Sequence, residues 1–432
     1  MHCYFAISKV CNLKCRYCYV PAYNKSHQVN YDGRALEAAQ RFAAKIKKED
    51  FFVESMTLHG AEPSILSAKT LGEIINILAE STHDIVRIQS NGTRFTADYL
   101  DQLLKIIGNP KRFFVGISID GSAKIHNEQR DNSWQRVTHN INELNKRGFR
   151  IGLLSVITPL TLQYLPEFEK WIEQTRPQVE SISFKLGEHG YGLNDEENLR
   201  FAKWLVRTKN LKSLQAFQPD LCMHQGNRCV FFEFDIDGNC YACNKNFNQE
   251  GVFANWFNES FSAIVAKRLH LFKLQPINVE CLDCSYKPVC ESGCPASRIQ
   301  NRSVDCLIKK TVYAKLAEEG IDFQRFFRIE GRSTEESFRV ARGHHKLLLK
   351  TRPFFQSRIR LEGHQLMYQA SDNKKRTLLL KPRASEFLNL FLENRALNIS
   401  QALNRFDSHN DFNEELGFLK QLYERGIILG FE

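Results

Sequence analysis

Over its first half this 432-residue chain alternates short β-rich runs with amphipathic helical patterns, and this limits its fold more than any other feature. Strand-like runs are expected at 4–8, 54–59, 85–90, 113–119, 151–157 and 179–185. Helical periodicity is expected at 34–48, 70–80, 97–107, 134–147 and 165–174. Six such units in series predict a parallel sheet with helices outside, because parallel strands need crossover connections rather than hairpins. In such an architecture ligands gather at the C-terminal edge of the strands.

The first strand runs into Cys11, Cys15 and Cys18, with Tyr17 just before the last cysteine. Three thiolates can hold a [4Fe-4S] cluster by three irons and leave the fourth open to a small molecule. Zinc, with Cys3 or His2 as a fourth ligand, is the alternative reading of the triplet alone. The C-x3-C-x2-C spacing resembles the signature of radical S-adenosylmethionine (SAM) enzymes. The resemblance implies a partial (β/α)6 TIM barrel. It also implies an open iron that binds SAM and a one-electron cleavage of SAM to a 5′-deoxyadenosyl radical.

Further landmarks follow in the same order. His59-Gly60-Ala61-Glu62-Pro63 resembles the family's Gly-Gly-Glu segment, which meets the SAM amino group, with Ala61 in place of the second glycine. Gln89 and Asn91 end the third strand, and Ser118 resembles the family's ribose-contacting position. His126 and Arg130 resemble a His-Asp-x-x-Arg element, with Asn127 in place of the aspartate. His59, Asp120, His126 and Arg130 are the candidate catalytic residues, on their expected nearness to SAM.

Downstream stand Cys222, Cys229, Gly238, Cys243, Cys281, Cys284, Cys290, Cys294 and Cys306. Their spacing resembles the cysteine-rich SPASM domain, which carries auxiliary clusters. By that resemblance Cys222, Cys229, Cys243 and Cys294 hold one auxiliary [4Fe-4S] cluster, and Cys281, Cys284, Cys290 and Cys306 a second, making three in all. A zinc ribbon is the plainer reading of the C-x2-C and C-x3-C pairs. Cys240 is an alternative ligand three residues before Cys243, although Cys3 and Cys240 read as small apolar residues.

From about residue 311 the cysteines stop. A strand pair at 358–361 and 377–380, helical patterns at 385–393, 400–405 and 413–425, and an apolar run at 427–429 suggest a winged-helix-like α+β domain. Between Arg339 and Arg383 twelve Lys or Arg face only Glu362 and Asp372, so the chain's net charge of +10 is concentrated there. The expected domains are therefore 1–215 (barrel), 216–312 (SPASM) and 313–432 (winged helix).

Proteins that join a SAM barrel to a SPASM domain modify peptides or proteins. The C-terminal pattern resembles the elements with which peptide maturases bind the leader of a ribosomally made precursor. Sulfatase maturases, the other branch, carry Asp directly after the cysteine of the G-x4-C element, where this chain has Asn244. The expected activity is thus abstraction of hydrogen from a precursor peptide and formation of a crosslink, with a low-potential flavodoxin or ferredoxin as reductant. An iron–sulfur redox sensor whose basic winged helix binds nucleic acid is the rival from another class. Thirteen cysteines, no signal-like start and no run of 18 apolar residues lead to an expectation of reduced thiols, no membrane and the cytoplasm.

Overall fold

The computed structural model describes residues 2–18, 31–51, 53, 55–82, 85–188, 190–217, 231–243, 251–273, 278–286, 290, 292–299 and 301–320. In the C-terminal part it describes 353–355, 359–369, 375–394, 399–406, 415, 418–419, 421–422 and 427–431. The chain forms two compact units, Met1–Arg332 and Ser333–Glu432.

The first unit is built on a nine-stranded sheet. Its strands are β1 (His2–Ser8), β2 (Ser55–Gly60), β3 (Val86–Ser90), β4 (Phe113–Ser118), β5 (Arg150–Ile157), β6 (Ser181–Leu186), β7 (Phe231–Asp235), β8 (Asn239–Tyr241) and β9 (Val252–Asn255). Their order is β6-β5-β4-β3-β2-β1-β7-β8-β9, with the first seven all parallel. The six strands expected from sequence are present to within two residues at each end. The seventh parallel strand, β7, was not expected, because 231–235 reads as Phe-Phe-Glu-Phe-Asp with no helical pattern leading into it. It docks on β1 with Phe5 opposite Phe234, and the antiparallel β8 and β9 extend that edge.

The helices have local causes. α1 (Tyr31–Lys48) buries Ala35, Ala38, Ala39, Phe42 and Ile46, one stripe at helical spacing. α2 (Ala68–Ala79) and α3 (Ala97–Ile107) begin at Ser67 and Thr96, whose side chains accept from Thr70 N and Tyr99 N. α4 (Ala123–Gln129) and α5 (Trp134–Lys146) follow β4. Phe42 meets Phe5, Phe234, Trp256 and Phe261 with ring centroids 4.9 to 5.4 Å apart, which ties α1 to β1, β7 and the segment after β9. The helix Cys306–Glu318 runs through position 312/313, where the sequence places a domain boundary, and packs on the helix Asp195–Arg207.

In the second unit the expected strands at 358–361 and 377–380 appear as Arg360–Glu362 and Lys375–Leu379. They do not pair with each other. Gln365–Gln369 lies between them and pairs with both, because the turn at Gly363 folds the chain straight back. The final apolar run is a strand, Ile428–Phe431, paired antiparallel with Pro353–Phe355. Leu366, Phe387, Leu388, Phe391, Leu403, Leu419 and Leu422 form the core of this unit. Seven of the twelve basic residues of 339–383, and most of 413–425, lie outside the described residues. Among the described residues no helix is long and apolar enough to cross a membrane.

Candidate active site

Cys11, Cys15 and Cys18 stand on the loop after β1, which other elements hold down. Leu13 N donates to Cys11 Sγ at 3.4 Å, and Asn91 Nδ2, at the end of β3, reaches the same sulfur at 3.7 Å. Arg16 N donates to Gln129 O at 3.0 Å, and Arg130 Nη1 lies 3.9 Å from Cys15 Sγ. All three cysteines open onto one cavity of about 660 Å³ at the C-terminal edge of the parallel strands. Tyr17, His59, Gly60, Ala61, Glu62, Gln89, Asn91, Ser118, Arg130 and Cys243 line it too. This gathers all but two of the residues expected at the SAM site.

Gly60 has φ +115°, and a Cβ there would stand 2.2 Å from Ser8 O. This lets Ala61 N and Glu62 N donate to Ser8 O and Val10 O at 2.9 and 3.0 Å, locking β2 to the cysteine loop. Gly60→Val cannot adopt that backbone, and its unfolding midpoint in urea is expected to fall by the equivalent of about 2–4 kcal/mol. A wild-type midpoint in that variant would contradict the geometry.

Glu62 is 1 % exposed and its carboxylate is fully engaged. Oε1 accepts from Ser64 N, Ser64 Oγ and Ser90 Oγ at 2.9, 2.6 and 2.7 Å, and Oε2 accepts from Asn91 N at 2.6 Å. It braces the end of β3 while standing at the cavity wall. Gln89 Nε2 donates to Ser118 Oγ at 2.9 Å, and Gly116 gives it room, since a Cβ there would lie 2.5 Å from Gln89 Oε1.

The two expected residues that do not line the cavity are Asp120 and His126, both completely buried. Asp120 Oδ1 accepts from Val156 N at 2.9 Å, and Oδ2 accepts from Arg130 Nε at 2.8 Å and from the Tyr17 hydroxyl. His126 Nδ1 accepts from Asp120 N at 3.3 Å, and Nε2 meets Ser133 Oγ at 2.9 Å. Asp120 holds Arg130 and Tyr17 in place, and His126 braces the backbone at Asp120 and the Ser133 hydroxyl, rather than facing the cavity. Burial disfavours the charged Arg130 guanidinium, but Asp120, Tyr17 and Cys15 around it push its pKa up.

Burial also pushes the His126 imidazole down to about 4. A native pKa below the unfolded value of about 6.5 means that unfolding takes up a proton on acidification. The neutral-imidazole stability is therefore full above about pH 6.5 and declines progressively to about pH 4, by on the order of 3 kcal/mol. His126→Gln should flatten the urea-midpoint profile between pH 7 and 4.5. An unchanged slope in that variant would remove His126 as its source.

Burial pushes the Cys11 and Cys15 thiols up to about 12 and about 11. Thiols so placed become thiolates only beside a cation. Three sulfurs with open cavity beyond them fit a cluster held by three irons. Bound there, a [4Fe-4S] cluster with SAM supplies the one-electron SAM cleavage that starts hydrogen abstraction.

Of the other cysteines, Cys281, Cys284, Cys290 and Cys306 line a second cavity, of about 30 Å³, together with Lys309. Lys309 is buried and pairs with Asp305 at 3.1 Å. Cys243 is buried at the wall of the first cavity, and Cys294 is buried. Cys222, Cys229 and Asn244 lie outside the described residues. Cys3 and Cys240 are buried. Among the described residues no three His, Cys, Asp or Glu side chains converge on a single metal position. The structure brings together two cavity linings rather than closed coordination shells.

Sequence reasoning missed Glu233, which faces His59 from β7. A charge inside the apolar run Phe231-Phe232-Glu233-Phe234 was the available signal.

Residues 5–172 match the Radical SAM superfamily model: this segment is a radical SAM domain, and the chain is a SAM-dependent enzyme. The chain is similar to a cysteine-type anaerobic sulfatase-maturating enzyme of Clostridium novyi, at 24% identity over 332 residues, covering 68% of this chain and 87% of that one. Its fold resembles native anSMEcpe with bound AdoMet, with TM-score 0.63 and 19% identity, over 76% of this chain and 100% of that one. It also resembles Streptococcus suis SuiB bound to precursor peptide SuiA, with TM-score 0.53 and 14% identity, over 70% and 74% of the two chains.

Proposed function

We propose that this enzyme is a peptide maturase. It abstracts hydrogen from a residue of a ribosomally made precursor peptide and forms a carbon–carbon, ether or thioether crosslink. The observation that carries the reading is the single cavity that joins the Cys11–Cys15–Cys18 loop to Cys243 of the cysteine-rich region. Its volume falls in the range of sites that enclose organic ligands, about 300–1,000 Å³. SuiB binds a precursor peptide, and anSMEcpe is also known with bound peptides, which supports a peptide as substrate here.

In this reading residues 216–312 form a SPASM domain. Its auxiliary clusters take Cys222, Cys229, Cys243 and Cys294, and Cys281, Cys284, Cys290 and Cys306. The shared cavity of the second set supports that assignment. The leader would add to the outer edge of Lys375–Leu379, which among the described residues pairs on one side only. Its Lys375 and Arg376 suit an acidic leader. A low-potential flavodoxin or ferredoxin in the cytoplasm would supply electrons.

Sulfatase maturation is the second reading, favoured by the Clostridium novyi relative. Against it stands Asn244, whose amide is no base, at the position where those enzymes carry Asp.

The test is anaerobic reconstitution with iron and sulfide, then SAM under strong reductant, with and without a sulfatase-derived peptide. About twelve irons per chain and 5′-deoxyadenosine, with the sulfatase peptide unchanged, support the maturase reading. Modification of that peptide supports the second, and stoichiometric zinc without cleavage ends both. Salt-resistant, sequence-selective binding of duplex DNA would turn the C-terminal domain into a nucleic-acid module.

A further inference from the structure

The wall of the main cavity is backed by a carboxylate that none of these assignments uses. Glu233 sits mid-strand on β7 and is completely buried. Its Oε2 has no hydrogen-bond partner among the described residues, and its Oε1 lies 3.3 Å from His59 Nδ1. A buried carboxylate with an unused oxygen is costly, so its presence calls for a role. His59, on β2, lines the cavity with a side chain 12% exposed, and Tyr4 of β1 meets its ring edge-on at 5.5 Å. The carboxylate can only accept, so the proton between the two groups belongs on Nδ1. The lone pair of Nε2 is then free, and Nε2 makes no hydrogen bond among the described residues.

We propose that His59 is a catalytic residue that takes a proton from the substrate through Nε2, and that Glu233 is the positioning residue that fixes its tautomer and supports the imidazolium. The proton leaves an O–H, S–H or N–H of the substrate. Its bonding pair stays on that heteroatom, the Nε2 lone pair forms the new N–H bond, and no electron is transferred. The pair would supply the base that Asn244 cannot. The inference rests on the cavity being the substrate cavity.

Diethyl pyrocarbonate, which acylates only unprotonated imidazole, tests the pair in the full-length chain under anaerobic conditions, with mass-spectrometric mapping of His59. The charged neighbour to be separated out is Glu233; Glu62, Arg87 and Arg130 line the same cavity and are constant throughout. Removing the charge in Glu233→Gln should raise the modification rate at pH 6 by roughly fivefold or more. Glu233→Asp, which keeps a carboxylate, should stay closer to wild type.

An equal rate in wild type and a folded Glu233→Gln overturns the proposal, as does a His59 that stays unreactive from pH 6 to 8. Should Glu233→Gln not fold, acylation of wild-type His59 at Nδ1 rather than Nε2, read by NMR, overturns it equally. None of these readouts needs a cluster or a peptide, so failure of the maturase reading and failure of this pair are seen separately.

Discussion

Reconstituted Cys15→Ala forms no 5′-deoxyadenosine above background, a loss of at least ~100-fold, since removing even an outer-shell partner costs 10–100-fold in such sites. The expectation follows from how the thiol is held. Cys15 sits on a loop tied to α4 through Arg16 N and to Arg130 through its sulfur, with Cys11 and Cys18 lining the same cavity. Iron per chain should fall by about four, the content of one cluster. Cys281→Ala, at the second cavity, should also lose iron but should leave the Cys11–Cys15–Cys18 site able to bind its own. Wild-type SAM cleavage by Cys15→Ala would refute the assignment of the triplet.

The largest stability effect is expected at Asp120, a residue with no direct access to the cavity. Asp120→Ala removes the acceptor of Val156 N, Arg130 Nε and the Tyr17 hydroxyl at once. Arg130 is 7% exposed, so its guanidinium would be left buried without a counter-charge. Breaking a buried pair from one side costs about 3–5 kcal/mol. The urea midpoint should shift accordingly with the slope unchanged. Asp120→Asn keeps an acceptor and should lose less. Adding Arg130→Leu to Asp120→Ala should recover part of the loss, because the stranded charge goes with it. A double variant no better than the single one would mean that the pair is not what the carboxylate stabilises. Tyr17 and the cysteine loop lean on this ion pair, so the variant should also bind iron poorly.

Much of this protein is written locally. Apolar runs such as 4–8 and 113–118 are too short for helices and suit buried parallel strands, and side chains such as Ser67 and Thr96 start helices by bonding backbone within four residues. The cysteine triplet is legible for the same reason: its ligands sit within eight residues on one loop, so spacing alone carries the geometry. The four cysteines of the second cavity are almost as local, spread over 281–306.

What the sequence could not show depends on contacts between distant segments. Whether Asp120 and His126 face substrate or core is decided by their partners Val156 on β5, Arg130 and Ser133, since an acid in a polar turn reads the same either way. β7 escaped notice because its partner, β1, lies more than 200 residues earlier, and strand pairing at that range leaves no local periodic mark. The strands at 360–362 and 375–379 were visible, but only the turn at Gly363 decided that a third strand would separate them. The Glu233–His59 pair exists only because β1 and β7 lie side by side next to β2. The sequence by itself determined the class of chemistry, because iron ligation needs particular atoms at short spacing. The tertiary structure alone decided which polar residues meet the cavity and which brace it, because burial and charge pairing depend on what the rest of the chain packs against them.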